Sequence, residues 1–368
     1  MDLEVLQENL SKALSITSRF VSSRAQLPVL ANILLKADKT KLTLSATNLE
    51  TSASISLGAK IKEDGELTIP AKNFFEVVSN LTQGTIHLTS EKESLRITGS
   101  GFTGRISGMN ASDFPKVPQI IKKDESIDLS KTKFLNALPQ VSFAASSDEG
   151  RPILTGILFI LSKKNLSLVA TDGFRLSKKT INLEKAGREI KIVIPKNILL
   201  EVSRVGEENE NIFLGVKEKE KQIVFGLDNL ILSSRVLEGE FPDFEKIIPK
   251  NSSIKVRVDK EEFLRAVKLS SVFARDSANI VKIKIMKDSI KLSAESSQVG
   301  NQETTLDAKV EGEGVEISFN YKFLEDFLRA VVGEEVVMEF NNASSPGVFT
   351  DPKDPNFLHL IMPVKIQV

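Results

Sequence analysis

The chain has 368 residues, with 49 Lys and Arg against 49 Asp and Glu, so its formal net charge is zero and a tail-like basic protein is excluded. It has no Cys and two His, which removes disulfides, Cys-ligated zinc, thiol nucleophiles and imidazole-rich metal sites. No apolar run reaches the roughly 18 residues of a membrane span, and the start MDLEVLQENLSK lacks the basic-then-apolar order of a signal peptide, so a soluble, intracellular protein is expected.

Leu10, Ala13, Leu14, Thr17 and Val21 recur at helical spacing and predict a first helix over 8–24. Alternating strands follow at NILLKAD and LTLSATNLE, then GELTIP leads into a short amphipathic helix over 72–80, and TIHLTS and SLRITG resume the alternation. The order then restarts. Phe134, Leu135, Leu138 and Val141 predict a helix over 130–146, followed by LSLVATDGF, IPKNILLEVSRV with a helix over 196–205, and QIVFGL. A third round has a helix over 259–275, with Asp259 as N-cap and Glu262 as its capping-box partner, then KIKIMKD, IKLSAESSQ and a helix over 322–331.

The matching strands begin at Leu42, Leu166 and Ile290, 124 residues apart each time. That period is too long for a solenoid repeat and suits a whole domain. The fold class expected is therefore α+β, three copies of one domain, each with two helices on antiparallel sheet. The domains are placed at 1–120, 126–248 and 252–368, joined by the linkers PKVPQIIKKDES and EKIIPKNSS.

Candidates for chemistry are few. Gly99, Gly101 and Gly104 match G-x-G-x-x-G, but RISGMN after them continues no helix, so a strand pair with a Gly-rich turn is the better reading. Asp148 and Glu149 lie in the Ser/Asp/Gly stretch SSDEGRP and read as a solvated loop. Asp172 aligns with Asn48 and with Ser296 or Ser297 in the other copies, replacements that suit turn hydrogen bonding better than catalysis. His87 and His359 read as strand residues. No nucleophile elbow or phosphate-binding loop occurs, so no catalytic residue, metal or cofactor is expected. The six predicted helices carry 14 basic and 8 acidic residues on a chain of net zero charge. That segregation suits a helical surface facing a polyanion, read without sequence specificity.

LPVLANILL, IPAKNFFEVV, RPILTGILF, LSLVATDGFRLS, EGEFPDFEKIIP, FNYKFLEDFL and HLIMPVKI together resemble the bacterial sliding clamps, the beta subunits of DNA polymerase III. The resemblance runs in order along the whole chain. It implies a DNA clamp fold of three similar domains and a head-to-tail homodimer, which closes into a six-domain ring with helices inside and sheets outside. Such a ring encircles double-stranded DNA, is placed there by an ATP-driven clamp loader and tethers the polymerase III catalytic subunit and other clamp-binding-motif proteins. It is a non-enzymatic cytoplasmic processivity factor with no membrane contact.

By the resemblance, Arg24, Lys72, Arg151, Lys196 and Asn197 contact DNA, although Pro152 and Ile153 stand where some relatives carry aromatic residues. The partner peptide pocket comprises Leu154, Thr171, Gly173, Phe174, Arg175, Leu176, Pro242, Lys246, Ile247, Asn320, Phe323, Met362, Pro363, Val364, Lys365 and Ile366. The dimer contact sets Ile106 against Val272 and Phe273. Phe174 occupies a position often held by His and Lys246 one often held by Arg, and Gln367 and Val368 extend past the usual end, so a shifted peptide preference is expected. Two other readings stay open: a three-domain protein-binding scaffold that never encircles DNA, and a metal-dependent nuclease using Asp148, Glu149 or Asp172.

Overall fold

Alternating apolar residues recur along the chain, and among the described residues they form four antiparallel sheets. The computed structural model describes residues 1–22, 27–122, 126–183, 189–205 and 211–365. Those residues fall into two compact units, Met1–Lys131 with Asn197–Val236, and Thr132–Lys196 with Leu237–Val368.

The first unit holds two sheets. One runs Lys60–Glu63, Asp2–Leu6, Thr85–Glu91, Ser94–Gly99, Phe102–Ser107. The other has eight strands, in which Thr51–Gly58 pairs with Leu230–Arg235 and so joins the first repeat to part of the second. A buried hydroxyl pair crosses this seam, Ser52 to Ser233 at 2.7 Å, and a second, Ser45 to Ser54 at 2.9 Å, ties Thr51–Gly58 to its other neighbour, Lys41–Thr47. In the second unit a nine-stranded sheet joins Arg175–Asn182 to Asp354–Ile361 in the same way, and a four-stranded sheet ends at the edge strand Gly300–Asp307.

Six α-helices occur among the described residues: α1 (Gln7–Thr17), α2 (Ala71–Asn80), α3 (Lys131–Ser142), α4 (Lys196–Val205), α5 (Lys260–Ala274) and α6 (Tyr321–Ala330). Each buries one apolar stripe; in α1 it is Leu10, Ala13 and Leu14. Two helices are shorter than their sequence pattern suggests. α1 gives way at Thr17, whose hydroxyl turns back to the Ala13 carbonyl at 3.0 Å, to a single 3-10 turn over Ser18–Phe20. α3 contains Pro139, which removes a helical N–H, and it ends at Ser142 rather than at 146. α5 starts as expected, the Asp259 carboxylate accepting from the Glu262 N–H at 2.9 Å.

The core of the third repeat is aromatic. Phe319, Phe327, Phe340, Phe349 and Phe357 are fully or nearly fully buried, and His359 stacks on Phe327 with centroids 5.4 Å apart. The G-x-G-x-x-G match spans a two-residue hairpin: Gly99 pairs with Phe102 across the turn residues Ser100 and Gly101, which take φ of 52° and 75°, and Gly104 lies in the following strand opposite Ile97.

Candidate functional site

The turn between Asn165–Thr171 and Arg175–Asn182 organises one region of the second unit. Asp172 Oδ1 accepts from the N–H groups of Phe174 and Arg175 at 2.9 and 3.0 Å. The Thr171 hydroxyl accepts from Gly173 N–H at 3.1 Å and donates to the Arg175 carbonyl at 2.6 Å. Gly173 has φ +94°, a conformation L-residues rarely adopt, and a Cβ there would sit 3.2 Å from Arg151 Nη1. The turn reading of Asp172 is thus what the structure shows.

The other repeats build the same turn. Asn48 Oδ1 accepts from Glu50 and Thr51 N–H at 3.0 and 2.7 Å, and Ser296 Oγ from Gln298 and Val299 N–H at 3.2 Å each. In the first two repeats even the neighbours correspond. Ser22 N–H reaches Leu30 O at 2.8 Å as Ser146 N–H reaches Leu154 O at 2.9 Å, and Arg235 N–H reaches Glu50 O at 2.9 Å as Met362 N–H reaches Phe174 O at 2.8 Å.

Several expected pocket residues meet at the second turn. Phe174 is held by its backbone with its side chain 61 % exposed. The chain end crosses beside it, with Met362 bonded to Phe174 and Val364 N–H bonded to Ser318 O at 2.8 Å. Leu176 is buried in an apolar cluster with Phe244 and Leu360, against which Met362 and Phe241 pack. Lys246, paired with Asp243 at 2.8 Å, and the exposed Ile247 follow Phe244 in its 3-10 turn, while Pro242 precedes it and is exposed. The Asp243 bond raises the Lys246 pKa, and Lys246 lowers that of Asp243. Leu154 is buried, Pro363 is half-buried and Lys365 is exposed. Asn320 caps α6 by accepting from Lys322 N–H at 3.0 Å. Ile366, Gln367, Val368 and Arg24 lie outside the described residues.

Arg175 is the most heavily engaged residue of the group. Its Nε donates to Asp172 Oδ2 at 3.0 Å, Nη1 to Asp326 Oδ2 at 2.6 Å and Nη2 to the Phe143 carbonyl at 2.8 Å. Its guanidinium carbon lies 4.4 Å from the Phe323 centroid and 5.4 Å from that of Phe143. Lys196 is half-buried nearby; burial and the Arg175 charge lower its pKa, and Asp326 opposes them. Asp326 and Phe143 were invisible to sequence reasoning, because nothing local marks a helix residue as an arginine's partner.

The remaining expected residues are placed as follows. Lys72 is exposed in the first turn of α2, and Asn197 is exposed in α4. Arg151 is paired with Asp148 at 3.2 Å, which brings its charge to the turn at Gly173. Asp148 also accepts from Gly150 N–H at 2.9 Å, and these two bonds, the Gly150 one foremost, lower its pKa, as befits a loop carboxylate. Part of the helical charge is taken up locally: Arg19 of the first 3-10 turn pairs with Glu201 of α4 at 3.1 Å, and Arg329 with Glu325 at 2.5 Å. His87 does have an acid beside it, Asp2 at 2.6 Å, brought there by strand pairing. No group of three or more His, Cys, Asp or Glu suited to a metal occurs among the described residues, and no helix among them is long and apolar enough to cross a membrane.

Ile106 lies on the edge strand Phe102–Ser107 and lines a groove of about 770 Å³ with Val77, Leu81 and Phe102. Val272 on α5 is 48 % exposed and Leu269, one turn earlier, 51 %. Phe273 is instead partly buried against the core of the third repeat. Leu269 is an exposed apolar neighbour of Val272 that the sequence did not single out.

The families described as DNA polymerase III beta subunit N-terminal, central and C-terminal domains match residues 1–118, 128–243 and 245–365. The beta sliding clamp of Staphylococcus aureus is 29 % identical over 379 residues, covering 99 % of each chain. The crystal structure of the DNA polymerase sliding clamp from Bacillus subtilis superposes with a TM-score of 0.94 at 27 % identity, covering all of both chains. The beta subunit from DNA polymerase of Streptococcus pyogenes gives 0.93 at 25 %, again over all of both chains. Three clamp domains in order, over nearly every residue, place this chain in the family of bacterial beta sliding clamps, the beta subunits of DNA polymerase III.

Proposed function

We propose that two copies of this chain close head to tail into a ring that encircles duplex DNA, slides without sequence preference and tethers the replicative polymerase. The observation carrying this reading is the succession of three clamp-domain matches along one chain. The domains are taken as 1–120, 126–248 and 252–368. The ring is a non-catalytic processivity subunit, working in the bacterial cytoplasm and loaded by an ATP-driven loader. Topology supplies retention, so modest sequence-independent attraction from Arg24, Lys72, Lys196 and Asn197 suffices, and tight phosphate contacts would only hinder sliding. Arg151 is assigned to the same surface, although its guanidinium also borders the Gly173 turn.

Polymerase and other partners dock through a linear peptide at the Gly173 turn, where exposed Phe174 and Ile247 and the tail from Met362 offer apolar contacts beside a few polar groups. The dimer contact joins the groove at Ile106 to Val272, Leu269 and Phe273 of a second copy, covering apolar surface that is costly to leave in water.

Loading onto a nicked circular plasmid tests the reading. The protein should co-migrate with the circle in gel filtration and be lost once the circle is linearised. Retention that survives linearisation would refute encirclement in favour of direct DNA binding, and no retention on the circle would leave the scaffold that never encircles DNA.

A further inference from the structure

We propose that Arg175 is a positioning residue of the peptide pocket: it fastens the Gly173 turn to helix α6, and so sets Phe323, without itself anchoring the peptide. This rests on the pocket reading above.

The first repeat shows what the turn needs. Residues 47–51 reproduce the side-chain and backbone hydrogen bonds of residues 171–175, yet Thr51 stands where Arg175 does. The turn therefore folds without a guanidinium, and the arginine must serve another purpose. Two of its bonds leave the turn, one to the Phe143 carbonyl just past α3 and one to Asp326 on α6. With the bond to Asp172 as well, three of its five N–H groups are committed to protein acceptors, and the side chain is only 11 % exposed. Phe323 and Phe143 both lie within cation–π range of the same guanidinium. Little of the group is left to meet a ligand.

Asp326 is three residues beyond Phe323 on α6, so both side chains project from one helix face. Holding Asp326 thereby fixes how Phe323 faces the pocket. A second tie spans the same elements: the tail bonds to Phe174 through Met362, and through Val364 to Ser318 in the strand leading into α6. Lys196 adds a further cation beside Arg175, leaving Asp172 and Asp326 to balance the two charges. Lysine at position 175 could not satisfy all three acceptors, since it lacks the planar fork of donors.

The test uses the full-length protein and a fluorescein-labelled peptide copied from the C-terminal segment of a bacterial polymerase III catalytic subunit, read by fluorescence anisotropy. Asp326→Ala, and the isosteric Asp326→Asn should the first fold poorly, are expected to weaken binding about tenfold, with the oligomeric mass unchanged. Asp326→Glu should recover to within about threefold, because a carboxylate is restored on the same helix face. The double variant Phe323→Ala with Asp326→Ala should bind no more weakly than Phe323→Ala alone, since the two losses share one cause. Wild-type affinity in Asp326→Asn, or fully multiplicative losses in the double variant, would overturn the inference while leaving the pocket in place. A wild-type protein that does not bind the peptide would remove the pocket reading and this inference with it.

Discussion

Lowering the pH from 7.5 to 5.5 is expected to weaken the second unit through one side chain. His359 is fully buried, with Nδ1 2.6 Å from the Ser177 hydroxyl and its ring packed between Phe327 and Phe143. Burial first, then the Arg175 charge, holds its pKa well below 6.5, while a hydrogen bond with the Leu176 backbone acts in the opposite sense. The imidazole of the folded chain stays neutral where that of the unfolded chain takes up a proton, so the unfolded state binds more protons and stability falls as pH drops. With an unfolded pKa of about 6.5, the loss is on the order of 1 kcal/mol at pH 5.5 and negligible at pH 7.5. For a unit of this size that corresponds to a few degrees in midpoint. Scanning calorimetry at pH 7.5, 6.5 and 5.5, on wild type and on His359→Gln, reads the effect as a slope. Any packing penalty of the substitution is common to every pH and cancels. Asp2 and Asp354 have lowered pKa values, and the stability they contribute is lost only below about pH 4, outside this window. A wild-type midpoint that does not move, or a variant with the same slope, would refute the reasoning.

Deleting Met362 to Val368 removes the bonds to Phe174 and Ser318 and should abolish peptide binding while the dimer mass persists; unchanged affinity in the anisotropy assay would sink the pocket assignment. Replacing Arg24 and Lys72 by Glu should impair retention on circular DNA and flatten its salt dependence, by about 0.9 in log–log slope for each phosphate that is no longer neutralised. Equal retention at low salt would take both off the DNA face. Replacing Val272 by Asp, half exposed on α5 in one copy, should raise the dimer dissociation constant roughly 100-fold by placing an unpaired charge in the interface. Light scattering over a dilution series that still gives two chains would move the interface elsewhere.

Much of the local structure was legible in the residues. The strands Asn32–Asp38, Gly65–Pro70, Ser94–Gly99 and Gln222–Leu227 fall where alternation put them, because which face of a strand is apolar is written at period two. The turn role of Asp172 was legible for a similar reason, since its carboxylate reaches N–H groups two and three residues on. The helix ends were less so: the ends of α1 and α3 answer to a back-bonding Thr17 and to Pro139, which interrupt a periodicity that otherwise continues.

The sequence by itself determined the threefold repeat, the α+β character of each copy and the residues that shape each turn. The tertiary structure decided which distant side chains meet: Arg175 with Asp326 across 151 residues, Ser177 with His359 across 182, and Asp2 with His87 across 85. The reason is physical. Pairing of Arg175–Asn182 with Asp354–Ile361, and of Asp2–Leu6 with Thr85–Glu91, is set by hydrogen-bond register between remote strands, and no local pattern in either strand records its partner. The same limit hid why one of two nearly identical turns became a candidate binding site. Thr51 and Arg175 look like ordinary surface positions until α6 is folded beside one of them.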